Sequence, residues 1–136
     1  INLSLQGIEI PIIGYIDLRY PGEVRELKTS SRRRRSIIDD HAFQVSTYAM
    51  AIRQESGVWP SAVLDYICPT GMESFQLKNG NQWVQRVVDT ANSIRSLLAS
   101  ASTEAELCQL VQPDFSKPLW RYRPNSRAAA KSLFEC

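Results

Sequence analysis

Two carboxylates and a lysine stand at spacings that could bind a divalent cation and move a proton beside it. They are Asp17 in Gly14-Tyr15-Ile16-Asp17, and Glu26 and Lys28 in Glu26-Leu27-Lys28. Between them Pro21-Gly22 is a turn signal joining two extended runs. A loop centred on that turn pairs Tyr20 with Glu23, Arg19 with Val24, Leu18 with Arg25 and Asp17 with Glu26. Directly opposed residues hold their Cβ atoms about 4.5–5.5 Å apart. Asp17 and Glu26 then share one face, and Lys28, two residues further on, points to the same face. Ile16, Leu18 and Leu27 are expected to point the other way, toward a core. Like charges directly opposed destabilise a hairpin. A divalent cation between them reverses that sign, and hard oxygen ligands suit magnesium or manganese. A solvated charged face would carry the same residues.

The next periodic segment adds a second group. In Asp40-His41-Ala42-Phe43-Gln44-Val45-Ser46-Thr47-Tyr48-Ala49, Gln44 and Tyr48 are one helical turn apart on one face. An amide above a phenol can orient a phosphate, a base or the lysine; a half-buried tyrosine with a surface glutamine is the plainer alternative. His41, the single histidine, precedes them by three residues. It is a candidate base or ligand, although an exposed first-turn histidine is more often incidental. Ala42, Val45, Ala49 and Ile52 supply the buried side.

The elements that must position these groups follow from the pattern. Leu3 to Ile10 and Ile12 to Tyr20 read as strands interrupted at Pro11, and Val24 to Thr29 as the next. Ser30 to Ile38 is a polar loop carrying Arg32, Arg33, Arg34 and Arg35. Asp39 and Asp40 can cap a helix reaching about Glu55. Ala62 to Cys68 is apolar almost throughout, the mark of a central buried strand, and Met72 to Leu77 is a shorter one ended by Asn79-Gly80-Asn81. A long helix spans about Gln82 to Ala99 with Val84, Val87, Val88, Ala91, Ile94, Leu97 and Leu98 as its apolar stripe. A short helix follows with Thr103 as cap and Glu106 closing the box. Pro113, Pro118 and Pro124 make the remainder read as irregular until Ala128. The expected fold class is α/β, one mixed sheet flanked by helices over 1–112, with an irregular basic tail over 113–136.

Composition bounds the function. The 136 residues suffice for one domain with a core, and 43% hydrophobic with 22% charged residues is ordinary for a globular protein. A net charge of +2 proves no nucleic-acid partner, but the basic run at Arg32–Arg35 and the cluster Arg121, Arg123, Arg127 and Lys131 fit a phosphate-rich one. No apolar stretch reaches the roughly 20 residues that span a bilayer, so no membrane partner is expected. No secretory signal peptide is visible, and the chain opens with Ile1, as an excised or processed domain would. Cys68, Cys108 and Cys136 are odd in number and widely spaced, which argues against a disulfide framework and for a reducing, cytoplasmic compartment. Cys68 sits in an apolar run and Cys108 in a helix-like one, and both read as core residues.

Taken together, Gly14-Tyr15-Ile16-Asp17, Glu26-Leu27-Lys28-Thr29-Ser30 and Gln44-Val45-Ser46-Thr47-Tyr48 resemble the PD-(D/E)XK nuclease superfamily, specifically its RecB-like exonuclease branch. That branch includes CRISPR-associated adaptation nucleases and phage recombination exonucleases. The resemblance covers about Leu3 to Leu98 and implies a restriction-endonuclease-like core. It implies that Asp17, Glu26 and the Leu27 carbonyl hold magnesium or manganese, that Lys28 positions or polarises the attacking water, and that Gln44 and Tyr48 contact DNA or steady the site. It further implies a bacterial or phage-infected cell and a recombination or helicase partner. The chain departs from the family in two ways. The helix that precedes the first strand, and often carries a further ligand, is not in this sequence. Many members also hold an iron–sulfur cluster on one upstream and three C-terminal cysteines; here Trp120 and Cys136 look like remnants of that pattern, with Arg121 and Arg127–Ala130 where cysteines are expected. A lone cysteine cannot hold a cluster, so none is expected.

The leading expectation is metal-dependent hydrolysis of DNA at single- or double-stranded ends, with Arg32–Arg35 gripping the backbone and little sequence specificity. The competing expectation is a nuclease-fold DNA-binding or assembly module with weak or no catalysis. A third is a phosphoesterase acting on RNA or a nucleotide.

Overall fold

The computed structural model describes residues 1–78 and 80–134; Asn79 of the expected turn and Cys136 of the remnant cysteine pattern lie outside them. Its contacts divide the chain into two units, Ile1–Asn92 and Ser93–Cys136.

In the first unit the alternating apolar run of the hairpin builds an α/β fold on a four-stranded mixed sheet. The strands are β3 (Leu18–Tyr20), β4 (Glu23–Thr29), β5 (Ser61–Cys68) and β6 (Gly71–Gln76), hydrogen-bonded in that order. β3 and β4 form the hairpin, with Leu18 opposite Arg25, Arg19 opposite Val24 and Tyr20 opposite Glu23, as the turn position dictates. Gly22 takes the turn in the left-handed region, at φ 75°. β5 runs parallel to β4 after a helical crossover, α1 (Asp39–Ser56), and β6 returns antiparallel.

The first twenty residues are less regular than their composition suggests. Ahead of β3 only Asn2–Leu3 (β1) and Ile12–Ile13 (β2) pair, in a two-stranded antiparallel sheet, and of the two long strands expected only these pieces and β3 itself form. Gly7, at φ 75°, and the Ile8 N–H to Leu5 carbonyl bond turn the chain before Pro11. At the start of α1 the cap is Ile38, in extended conformation and without a side-chain bond. Asp39 and Asp40 therefore do not cap; they sit in the first turn, where their charge complements the helix dipole. Gly57, at φ 80°, closes the helix by donating to the Arg53 carbonyl.

α1 lies on one face of the sheet. Val45, Tyr48, Ala49 and Ile52 pack on Val24, Ala62, Leu64 and Tyr66. A second cluster joins Met50 and Ala51 of α1 to Leu3 and to Val87 of α2 (Gly80–Ala99). Strand alternation puts Val24, Glu26 and Lys28 on the α1 side and Arg25 and Leu27 on the other. The expected orientation is thus reversed for Leu18 and Leu27, which face away from α1, whereas Ile16 does pack against the core. The acid pair and lysine belong to the covered face because α1 comes down on it. In α2, Val84, Val87 and Val88 pack, while the distal part of the stripe, Ile94, Leu97 and Leu98, is exposed.

The second unit is helical. α3 (Glu104–Leu110) starts at Thr103, whose hydroxyl accepts from Glu106 N–H; the Glu106 carboxylate reaches back to Ser102 N–H instead of closing on Thr103 itself. The stretch expected to be irregular carries α4 (Pro118–Arg121) and α5 (Pro124–Phe134). Proline begins both, where its fixed φ and missing N–H fit the first helical turn. Cys68 and Cys108 are half-buried thiols, not the core residues their surroundings suggested. Among the described residues no helix is long and apolar enough to cross a membrane.

Candidate active site

The parallel β4–α1–β5 unit brings the candidate residues to one end of the sheet. β4 delivers Glu26 and Lys28 from alternate positions on one face, and α1 delivers His41, Gln44 and Tyr48 from successive turns above it. A continuous chain of contacts joins strand to helix. Lys28 Nζ donates to Glu26 Oε1 at 2.6 Å and to Gln44 Oε1 at 2.8 Å. Gln44 Nε2 donates to the Tyr48 hydroxyl at 2.7 Å. The two ends of the Gln44 amide are therefore assigned by their partners: oxygen to the ammonium, nitrogen to the phenol.

Asp17 lies one residue before β3, so the ladder stops short of it. Its Oδ2 instead accepts the Leu27 N–H at 2.8 Å. That bond places the carboxylate beside Glu26, as the register requires, and the N–H and carbonyl of Leu27 leave the strand on the same side. The approach to Tyr48 depends on Gly14: a Cβ there would stand 3.0 Å from Tyr48 Cε1. Glycine lets the segment leading to Asp17 run against the tyrosine ring.

Glu26 is the electrostatic centre. It is 4% exposed, and its Oε2 is buried without a hydrogen-bond partner among the described residues. Burial pushes its carboxyl above the usual range; the Lys28 ammonium opposes this and the neighbouring Asp17 carboxylate reinforces it. Buried polar oxygens normally find a partner, and one left without is costly. Two adjacent carboxylates, one with an orphaned oxygen, beside a main-chain carbonyl are a hard-oxygen donor set suited to magnesium or manganese. Among the described residues no group of three His, Cys, Asp or Glu that could hold a metal ion gathers here or elsewhere, so the only donors this site could offer a cation among them are the acid pair and the backbone.

His41 is better placed than its sequence position suggested. Its Nδ1 lies 2.9 Å from the Tyr66 hydroxyl, with the rings 5.6 Å apart. That hydroxyl also accepts the Ile38 N–H at 3.1 Å, so its own proton is available to His41. Burial, then the Lys28 and Arg34 cations, hold the His41 pKa below its ordinary value against the Asp40 carboxylate, which raises it. The balance favours the neutral ring, and in the tautomer with Nδ1 bare that ring accepts from Tyr66. Sequence reasoning missed Tyr66. It stood inside an apolar run, and the signal available was its parallel register with Lys28.

The arginine run is exposed and follows β4 after Ser30 and Ser31. Arg33 pairs with Glu73 of β6, and Arg34 is close enough to act on His41. The Arg32 carbonyl accepts from the Ser30 hydroxyl at 2.7 Å, a local turn just after the strand.

No family model matches the chain, and no curated protein or solved structure gives a match.

Proposed function

We propose that this chain is a divalent-metal-dependent deoxyribonuclease on a restriction-endonuclease-like core, an exonuclease with little sequence specificity. The observation that carries the reading is the contact chain Glu26–Lys28–Gln44–Tyr48 beside Asp17, with the buried Glu26 Oε2 left unpartnered. A purely structural Glu26–Lys28 ion pair gains nothing from the Asp17 carboxylate at its side.

In this reading Asp17, Glu26 and the Leu27 carbonyl hold one magnesium or manganese ion. When bound, it would supply Lewis-acid activation and charge neutralisation at the scissile phosphate. Lys28 orients the attacking water and exchanges a proton with it. Gln44 fixes the lysine between strand and helix, and Tyr48 fixes Gln44. The arginines of the loop hold flanking phosphates without reading bases, which is the basis for low specificity.

A second reading, a nuclease-fold DNA-binding module with weak catalysis, draws support from the donor set, which has two carboxylates and no third among the described residues. End-labelled single- and double-stranded DNA, with a closed circle as control, separates the readings. The nuclease reading expects loss of linear DNA with manganese, none in EDTA, and an intact circle. Linear DNA untouched in manganese selects the binding module, and a cut circle contradicts exonuclease action.

A further inference from the structure

The second unit contains a cleft that the proposed nuclease site does not use. It has a volume of about 690 Å³, within the span of roughly 300–1,000 Å³ common for ligand clefts. Phe115 and Trp120 form its apolar wall, their ring centroids 5.1 Å apart and tilted by 52°. Lys117, Arg121, Arg127 and Lys131 surround them.

The wall is built by local bonds. Asp114 accepts from Ser116 N–H at 3.0 Å and from its hydroxyl at 2.6 Å, and pairs with Lys117 at 3.3 Å. These contacts fold the loop before α4 and hold the Asp114 carboxyl below its usual range. The Asp114 carbonyl accepts the Trp120 indole N–H at 3.0 Å, which fixes the plane of that ring. Lys131 stands over the Phe115 ring at 5.6 Å. Both rings are half-buried, each keeping part of its surface open, while Arg121 and Arg127 are exposed.

We propose that this cleft binds single-stranded nucleic acid, with a base stacked on the Phe115–Trp120 wall and the backbone phosphates on Arg121 and Arg127. Aromatic platforms flanked by cations are how sequence-tolerant single-strand sites are made, because every base has a π-face and every linkage a negative charge. A duplex hides its bases and cannot use the wall. The cleft acts by binding alone, so the inference goes beyond the nuclease reading and survives if the first unit cleaves nothing.

The test is fluorescence anisotropy of a labelled oligothymidylate on the full chain in EDTA, where cleavage plays no part. Arg121→Ala/Arg127→Ala, with Arg32–Arg35 left in place, should weaken binding about tenfold and flatten the salt slope by about 1.4, two single-strand contacts. Saturating oligothymidylate should quench tryptophan emission, and Trp120→Phe should remove most of that quenching while keeping the fold by circular dichroism. Unchanged affinity and slope in the double variant overturn the proposal. So does weakened affinity without any quenching, or competition by inorganic polyphosphate as effective as by oligothymidylate at equal charge; either means a surface that reads charge alone.

Discussion

Lys28 Nζ donates to Gln44 Oε1 at 2.8 Å, across 16 residues and from strand to helix. The same ammonium reaches Glu26 at 2.6 Å. Lys28 is therefore held by one carboxylate and one amide, and the amide is itself held by Tyr48. A lysine so fixed has lost its rotamer freedom before any substrate arrives, which is what a positioning or proton-transfer role needs.

Glu26→Gln should stabilise the metal-free protein at pH 7. Burial disfavours the Glu26 carboxylate, and its Oε2 has no donor. Glutamine can still accept from Lys28 and can donate to Asp17. In EDTA the variant should melt higher by about 3–6 °C, the shift that roughly 1 kcal/mol produces in a small domain. Manganese at millimolar concentration should raise the wild-type midpoint and leave that of Glu26→Gln or Asp17→Asn unmoved. A wild-type midpoint indifferent to manganese would mean the acid pair binds no cation.

His41 makes stability fall on the acid side. Its folded pKa lies below the ordinary value of 6.5, so the unfolded chain takes up the proton first as pH falls. The contribution is fully present above 6.5 and is lost as pH drops toward the folded pKa. Between pH 7.5 and pH 5 the wild type should therefore lose more thermal stability than His41→Gln, the carboxylates common to both cancelling in the comparison. Parallel profiles would show that the ring is not held neutral.

Much of this arrangement was legible in the sequence, and the failures have physical causes. Pro21-Gly22 fixed the hairpin register, and the spacing of Gln44 and Tyr48 put both on one helical face, because turn geometry and helical period are local properties. The buried face of β4 was not legible. Glu23–Thr29 offers Val24 on one side and Leu27 on the other, and the side α1 covers carries the acid and the lysine. Binary patterning fails where a site needs buried charge. Tyr66 was hidden for the converse reason: a polar tip on an apolar ring inside an apolar run. The prolines at 118 and 124 read as breakers, although the first turn of a helix tolerates them.

Arg32–Arg35 should supply affinity and not chemistry. Replacing all four by alanine should weaken duplex binding and flatten its salt slope by about 2–3, since Arg33 is already engaged by Glu73. Turnover at saturating DNA should hardly change, because such contacts grip substrate and transition state alike. Collapse of saturated turnover with affinity intact would place an arginine in the transition state instead.

The central claim is that Lys28 works in a metal-dependent cleavage of DNA. Single-turnover cleavage of end-labelled linear DNA by wild type and Lys28→Ala, both in manganese and with folding checked by melting, measures it directly. The wild type should cleave, and Lys28→Ala should keep its manganese-induced thermal shift while its rate falls about 10²–10⁴-fold. Equal rates in the two proteins, or no cleavage by the wild type, would contradict the account.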